Sequence, residues 1–251
     1  MTNSAGLEPR AKEFAEELES LFTAVLGSAT APEFKIEAAT HRSGSQRFVV
    51  EPNPARIQLS INGEPALTLG CYFHCEWDGR GEHLKVRKSG FTVSPIGERA
   101  APLFRYEYED SMSRAFPSAH LQIHAHRDEF LFAMLRGDRG KPRSRRQAAL
   151  GEAPKAAPHL SNLHFALGGP RFRPCVEDIL QLLLVEFGID TVHGAQDALN
   201  RGRIAWHRQQ LAAAVRDDPA TAAHVLREMG YSAAPPPTGH PEANTTGLGR
   251  I

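Results

Sequence analysis

The sequence predicts an α+β protein: an antiparallel β-meander of about five to seven strands, with an N-terminal helix and C-terminal helices packed on one face. Three observations carry this. Helical periodicity is confined to residues 7–27 and to the stretch from Pro174 onward, and residues from about 34 to 127 alternate with a period of two. The strand-like segments also follow one another without intervening helices, which disfavours parallel βαβ winding.

In residues 7–27, Phe14, Leu18, Leu21, Phe22 and Val25 fall at i, i+4, i+7, i+8 and i+11 and so share one helical face. Pro9 suits the first turn and Gly27 the end. Glu8, Glu13, Glu16, Glu17 and Glu19 form the solvated side, with acid near the N-terminus as the helix dipole favours.

The alternating region opens with FKIEAATHR and QRFVVE. ARIQLSI follows, with Ile57, Leu59 and Ile61 in one row, and then Asn62-Gly63, a strong hairpin signal. The return strand places Leu67, Leu69, Cys71, Phe73 and Cys75 at two-residue spacing. Asp78-Gly79-Arg80-Gly81 turns the chain into HLKVRKSGFTVS, and LFRYEYE and AHLQIHAHR complete the meander.

Residues 136–158 are rich in Gly, Pro, Ala and basic side chains and lack an apolar period, predicting a mobile basic loop. HLSNLHFALGG resumes the alternation. A helix is expected from Pro174 to about Phe187 with an apolar stripe at Val176, Ile179, Leu180, Leu183, Leu184 and Phe187. A third is expected over 195–216, carrying Leu199, Trp206, Leu211 and Val215. Asp218-Pro219 is a cap-plus-first-turn signal for a fourth helix to Met229. The organisation is thus one domain over 1–231 and a disordered tail over 232–251, which lacks apolar content.

The 251 residues include 29 basic and 29 acidic side chains, which argues against nucleic-acid or membrane binding through bulk charge. That balance is segregated, with acid on the first helix and base in the loop. The start of the chain is charged and the longest apolar run, near 179–185, is interrupted by Gln181, so no secretory signal or membrane span is expected. Three cysteines cannot all pair within one chain, and a reducing cytoplasm is the expected location.

Cys71 and Cys75 invite a metal reading, with His74 between them. In a strand they lie about 13 Å apart while His74 points to the other face, so both are expected in the core. Cys175, at a helix start, is either a thiol activated by the helix N-terminus or a buried structural residue.

The main chemical feature is AHLQIHAHR. In a strand, His120, Gln122, His124 and His126 share one face, opposite Leu121, Ile123 and Ala125. His124 and His126 are then about 7 Å apart, close enough to converge on a metal or a phosphate, whereas His120 lies about 13 Å from His124. His159 and His164 are further donors if their strand pairs alongside. No cofactor is identified by motif. A divalent metal held by His124, His126 and His164 is the one these residue types suit. In LFRYEYED, Arg105 and Glu107 share a face, and pairing of this strand with 119–127 would bring them beside the histidines. Glu107 would then orient an imidazole.

The H-x-Q-x-H-x-H order, with LHFALGG later, resembles over about seven residues the histidine-triad nucleotide hydrolases and transferases. That resemblance implies His124 as nucleophile and His126 as its supporter on phosphorus. Gln122 replaces the first histidine of the pattern, and the chain is not assigned to the family.

Two basic features complete the set. Gly168-Gly169-Pro170-Arg171-Phe172-Arg173-Pro174 joins a strand to a helix, and Arg171 and Arg173 beside free helix N–H groups would suit an anion, although the Lys-Ser/Thr pair of a P-loop is missing. Arg136, Arg139, Lys141, Arg143, Arg145 and Arg146 form the main charge concentration, a surface for a protein or nucleic-acid partner through residues 136–146. No aromatics are interleaved for base stacking.

The sequence therefore leads to a cytoplasmic binding or regulatory protein acting through the basic loop or the polar sheet face. A histidine-based hydrolase or transferase centred on His124 and His126, metal-dependent or acting on phosphate esters, is the rival, and a nucleic-acid-binding regulator is the third reading. Neither the reaction nor the oligomeric state is legible.

Overall fold

The structure is a computed structural model that describes residues 6–40, 46–79, 81, 83–97, 101–110, 117–124, 165–167 and 172–249. Helix α1 (Leu7–Leu26) buries Leu7, Ala11, Ala15, Leu18, Phe22, Val25 and Leu26 along one stripe, as its periodicity requires. Phe22 meets Phe34 with ring centroids 5.6 Å apart, and Phe14 meets Phe73 edge-on at 5.2 Å. Gly27 ends the helix at φ 83°, where a side chain would be strained and a Cβ would also press on Val192.

The strands are β1 (Glu33–Thr40), β2 (Gln46–Asn53), β3 (Ile57–Ile61), β4 (Glu64–Trp77), β5 (Leu84–Pro95), β6 (Phe104–Glu109), β7 (Ala119–Ile123) and the two-residue β8 (Phe165–Ala166). They form one antiparallel sheet in the order β1-β2-β4-β5-β6-β7-β8, with β3 pairing the first half of β4 and β2 the second. This is the predicted α+β meander: seven described strands lie between residues 33 and 123, and β8 returns antiparallel to β7.

The Asn62-Gly63 hairpin forms as expected, with φ 54° and 81° at the two residues, the left-handed pair of a type I′ turn. Its exposed N–H groups donate to the Asp190 carboxylate at 2.9 and 2.7 Å, and Asp190 N–H donates to Ser60 O at 2.8 Å, which ties the hairpin to the helical layer.

Alternation gives the sheet two unlike faces. Leu67, Leu69, Cys71, Phe73 and Cys75 of β4 continue laterally into Phe91 and Val93 of β5 and Phe104 of β6, and this row packs under the helices. Cys71 and Cys75 are buried in it, as expected, and burial pushes the Cys75 thiol up to about 12 and that of Cys71 higher still.

Helix α2 (Val176–Leu182) continues as a π-helical turn, Leu183–Phe187, ended by Gly188 at φ 68°. It buries Ile179, Leu180 and Leu183, and Phe187 reaches Phe104 with centroids 6.2 Å apart. Cys175 is its N-cap: backbone N–H and thiol both donate to Asp178, at 3.1 and 3.2 Å, and Asp178 also receives Arg203 Nε at 2.7 Å. Burial, followed by the nearby Glu177, raises the thiol far above its ordinary value, so the helix start does not activate it.

Helix α3 (Ala195–Asp217) and helix α4 (Pro219–Glu228) follow, with Asp218 capping α4 by accepting Thr221 N–H at 3.0 Å. The segment 232–249, expected from composition to be disordered, is largely exposed. It returns to α3 where Asn244 N–H donates to Asp217 O at 2.7 Å, just before the single turn α5 (Thr245–Leu248). No helix among the described residues is long and apolar enough to cross a membrane.

Candidate functional site

The second face of the sheet, turned away from α1, carries the polar residues of the alternation. Register places Tyr72 and His74 of β4 beside Gly90 and Lys88 of β5. Those in turn pair with Glu107 and Glu109 of β6, and Arg105 and Glu107 lie opposite Gln122 and His120 of β7. The conditional expectation for Arg105 and Glu107 is thus met at the level of register.

Glu107 meets His120 rather than His124. His120 is 2% exposed; its Nε2 lies 3.4 Å from Glu107 Oε2, and its Nδ1 donates to Pro117 O at 3.1 Å. Both ring nitrogens are occupied by acceptors, so His120 is a fixed element of the face. The hydrogen bond from His120 holds the Glu107 carboxyl below its ordinary value against the opposing effect of burial, helped by the charges of His120, Arg105 and Lys88. Glu107 is therefore an anion at neutral pH.

His124 follows β7 and prolongs the ladder by donating its backbone N–H to Leu103 O at 2.8 Å. Burial, then the Arg105 charge, pushes its imidazole below the ordinary value, so at neutral pH the ring is neutral. Among the described residues, four buried side-chain atoms lack a hydrogen-bond partner, and two of them, Arg105 Nε and His124 Nε2, belong to this corner; Ser118 Oγ lies at the other end of β7, where Ser118 O accepts Glu109 N–H. Buried polar atoms are ordinarily paired, so two unpaired nitrogens, one on β6 and one just past the end of β7, mark a place able to take a ligand.

Of the neighbouring side chains, Tyr72 and Lys88 were not singled out from sequence, and His74 was placed on this face without a role. Tyr72 lies across Gly90, where any Cβ would collide with its ring, and Lys88 pairs with Glu109 at 3.0 Å. Burial lowers His74, with Lys88 and Arg47 adding to the effect. The available signal was alternation in CYFHCEW, which puts Tyr72 and His74 on the face opposite the cysteines.

Arg173 is placed apart from this cluster, on the helical side of the sheet. Its Cζ sits 3.8 Å from the Tyr108 ring centroid and 4.9 Å from that of Trp206, a cation between two aromatic faces. It lines a shallow crevice with Ser89, Phe91, Tyr106 and Pro174. His126, His159, His164, Arg171, Arg143, Arg145 and Arg146, with the whole 136–158 segment, lie outside the described residues. Among the described residues no three metal-ligating side chains come together.

No protein-family model, curated protein or solved structure matches the chain, so the reading of this corner rests on its own geometry.

Proposed function

We propose that this is a binding protein that takes an anionic, hydrogen-bond-accepting group on the polar sheet face, at Arg105 and His124. The observation that carries it is the pair of unpaired buried nitrogens, Arg105 Nε on β6 and His124 Nε2 just past the end of the neighbouring β7. A carboxylate or phosphate oxygen satisfies both, with the charge-assisted bond to the guanidinium as the stronger. The ionised Glu107 beside them selects ligands that turn a neutral or donor group towards it. In a titration with inorganic phosphate or acetate, wild-type protein binds, and Arg105→Ala weakens binding by roughly 10- to 100-fold, the value of one charged hydrogen bond. Equal binding by the variant refutes the assignment.

The same free Nε2 on a neutral imidazole suits a general base, which keeps the hydrolase reading as the second one. If His124→Ala hydrolyses generic phosphodiesters at the wild-type rate, or neither protein does, that reading fails. Residues 136–146 are proposed on sequence alone as a surface for a protein or nucleic-acid partner. Neutralising Arg143, Arg145 and Arg146 should then lower a salt-dependent affinity, and an unchanged affinity counts against it. We place the protein in the cytoplasm, supported by three free buried cysteines.

A further inference from the structure

Helix α3 is apolar on two opposite sides. One side faces the fold: Ala195, Ala198 and Leu199 are buried, and Asp217 is held at the far end by Asn244. The other carries Ile204, Leu211 and Val215, which are 50%, 65% and 44% exposed. At about 100° per residue these three fall within roughly 40° of one another and nearly opposite Leu199. An ordinary surface helix has one apolar stripe, so the outer one calls for a partner.

We propose that the partner is a second copy of this chain, with α3 packed antiparallel against α3 about a two-fold axis. The stripe is self-complementary when read in opposite directions about a point between Gln209 and Gln210. Ile204 then faces Val215 of the second copy, the aliphatic stem of Arg208 faces Leu211, and Arg201 at one end faces Asp218 at the other. A parallel pair would instead set Arg201 against Arg201 and Arg208 against Arg208. Asp218 already accepts from Thr221, and a carboxylate has acceptor capacity left for a guanidinium. The contact is isologous, so it closes at two copies.

Sedimentation equilibrium on the full chain tests this. Wild type is expected to be a dimer. Leu211→Glu and Ile204→Ser are expected to be monomers with an unchanged circular dichroism spectrum and melting temperature, because both positions are exposed. Arg201→Asp is expected to weaken the dimer by about tenfold, one charge-assisted contact at each end being lost. A wild-type monomer at all concentrations up to about 1 mM overturns the proposal, as does a dimer indifferent to Leu211→Glu. Leu211-dependent sedimentation of monomeric protein with vesicles of phosphatidylcholine and phosphatidylserine overturns it in favour of a bilayer.

Discussion

Phe22→Ala will destabilise the fold by about 3–5 kcal/mol, the range for removing a buried aromatic ring and leaving a cavity. Phe22 is fully buried on α1, between Leu18 and Val25 on the same stripe, and its ring lies against Phe34 of β1. These neighbours sit on hydrogen-bonded backbone, Leu18 and Val25 within the α1 helix and Phe34 on β1 with its eight register pairs to β2, so none can collapse far into the space. Urea unfolding should show a lower midpoint with an unchanged slope. Phe14→Ala should cost less, because Phe14 is only partly buried where it meets Phe73. Near-equal losses at the two positions would mean that α1 docks differently.

Glu107→Ala carries the second large effect, about 1–3 kcal/mol from leaving His120 Nε2 buried without its acceptor. Glu107 is one-third exposed and partly screened, which favours the lower half of that range. The variant also changes the pH profile. The folded state holds the Glu107 carboxyl below its unfolded value of about 4.3. Its contribution is therefore complete above that value and is lost as pH falls through the lower folded one. Wild type should lose stability in this window, and Glu107→Ala should lose less. His74 and His124 act earlier. Both are lowered in the fold, so protonation favours the unfolded chain, and stability in either protein should begin to fall below about pH 6.5. Parallel profiles below pH 4.3 would show that the His120–Glu107 contact contributes nothing.

The fold was legible because its signals are local. A two-residue period from Phe34 to Ile123, left-handed residues at Asn62-Gly63 and a cap at Asp218 each act within a few residues, and each formed as read. Contacts made across the chain were not legible. Asp190 as the clamp on the Asn62-Gly63 turn lies 128 positions away in sequence. Which histidine Glu107 meets depends on a register that alternation restricts to one face but does not choose, and the choice fell on His120. The capping role of Cys175 required knowing that Asp178 turns back to it.

Helix α3 shows the other kind of limit. Leu199, Trp206, Leu211 and Val215 look like one apolar set along the sequence. Yet positions 12 and 16 residues on from Leu199 lie about 120° and 160° around the helix from it. Leu199 is accordingly buried while Leu211 and Val215 are exposed, so one apparent stripe resolves into two.

The polar corner of the sheet is tested most directly by following the side-chain nitrogens of His124 by NMR while inorganic phosphate is added at pH 7. A saturable shift of the His124 Nε2 resonance, with His120 little changed and the response abolished in Arg105→Ala, is the expected result. No response at His124 to either phosphate or acetate, or the same response without Arg105, would contradict an anion site on this face.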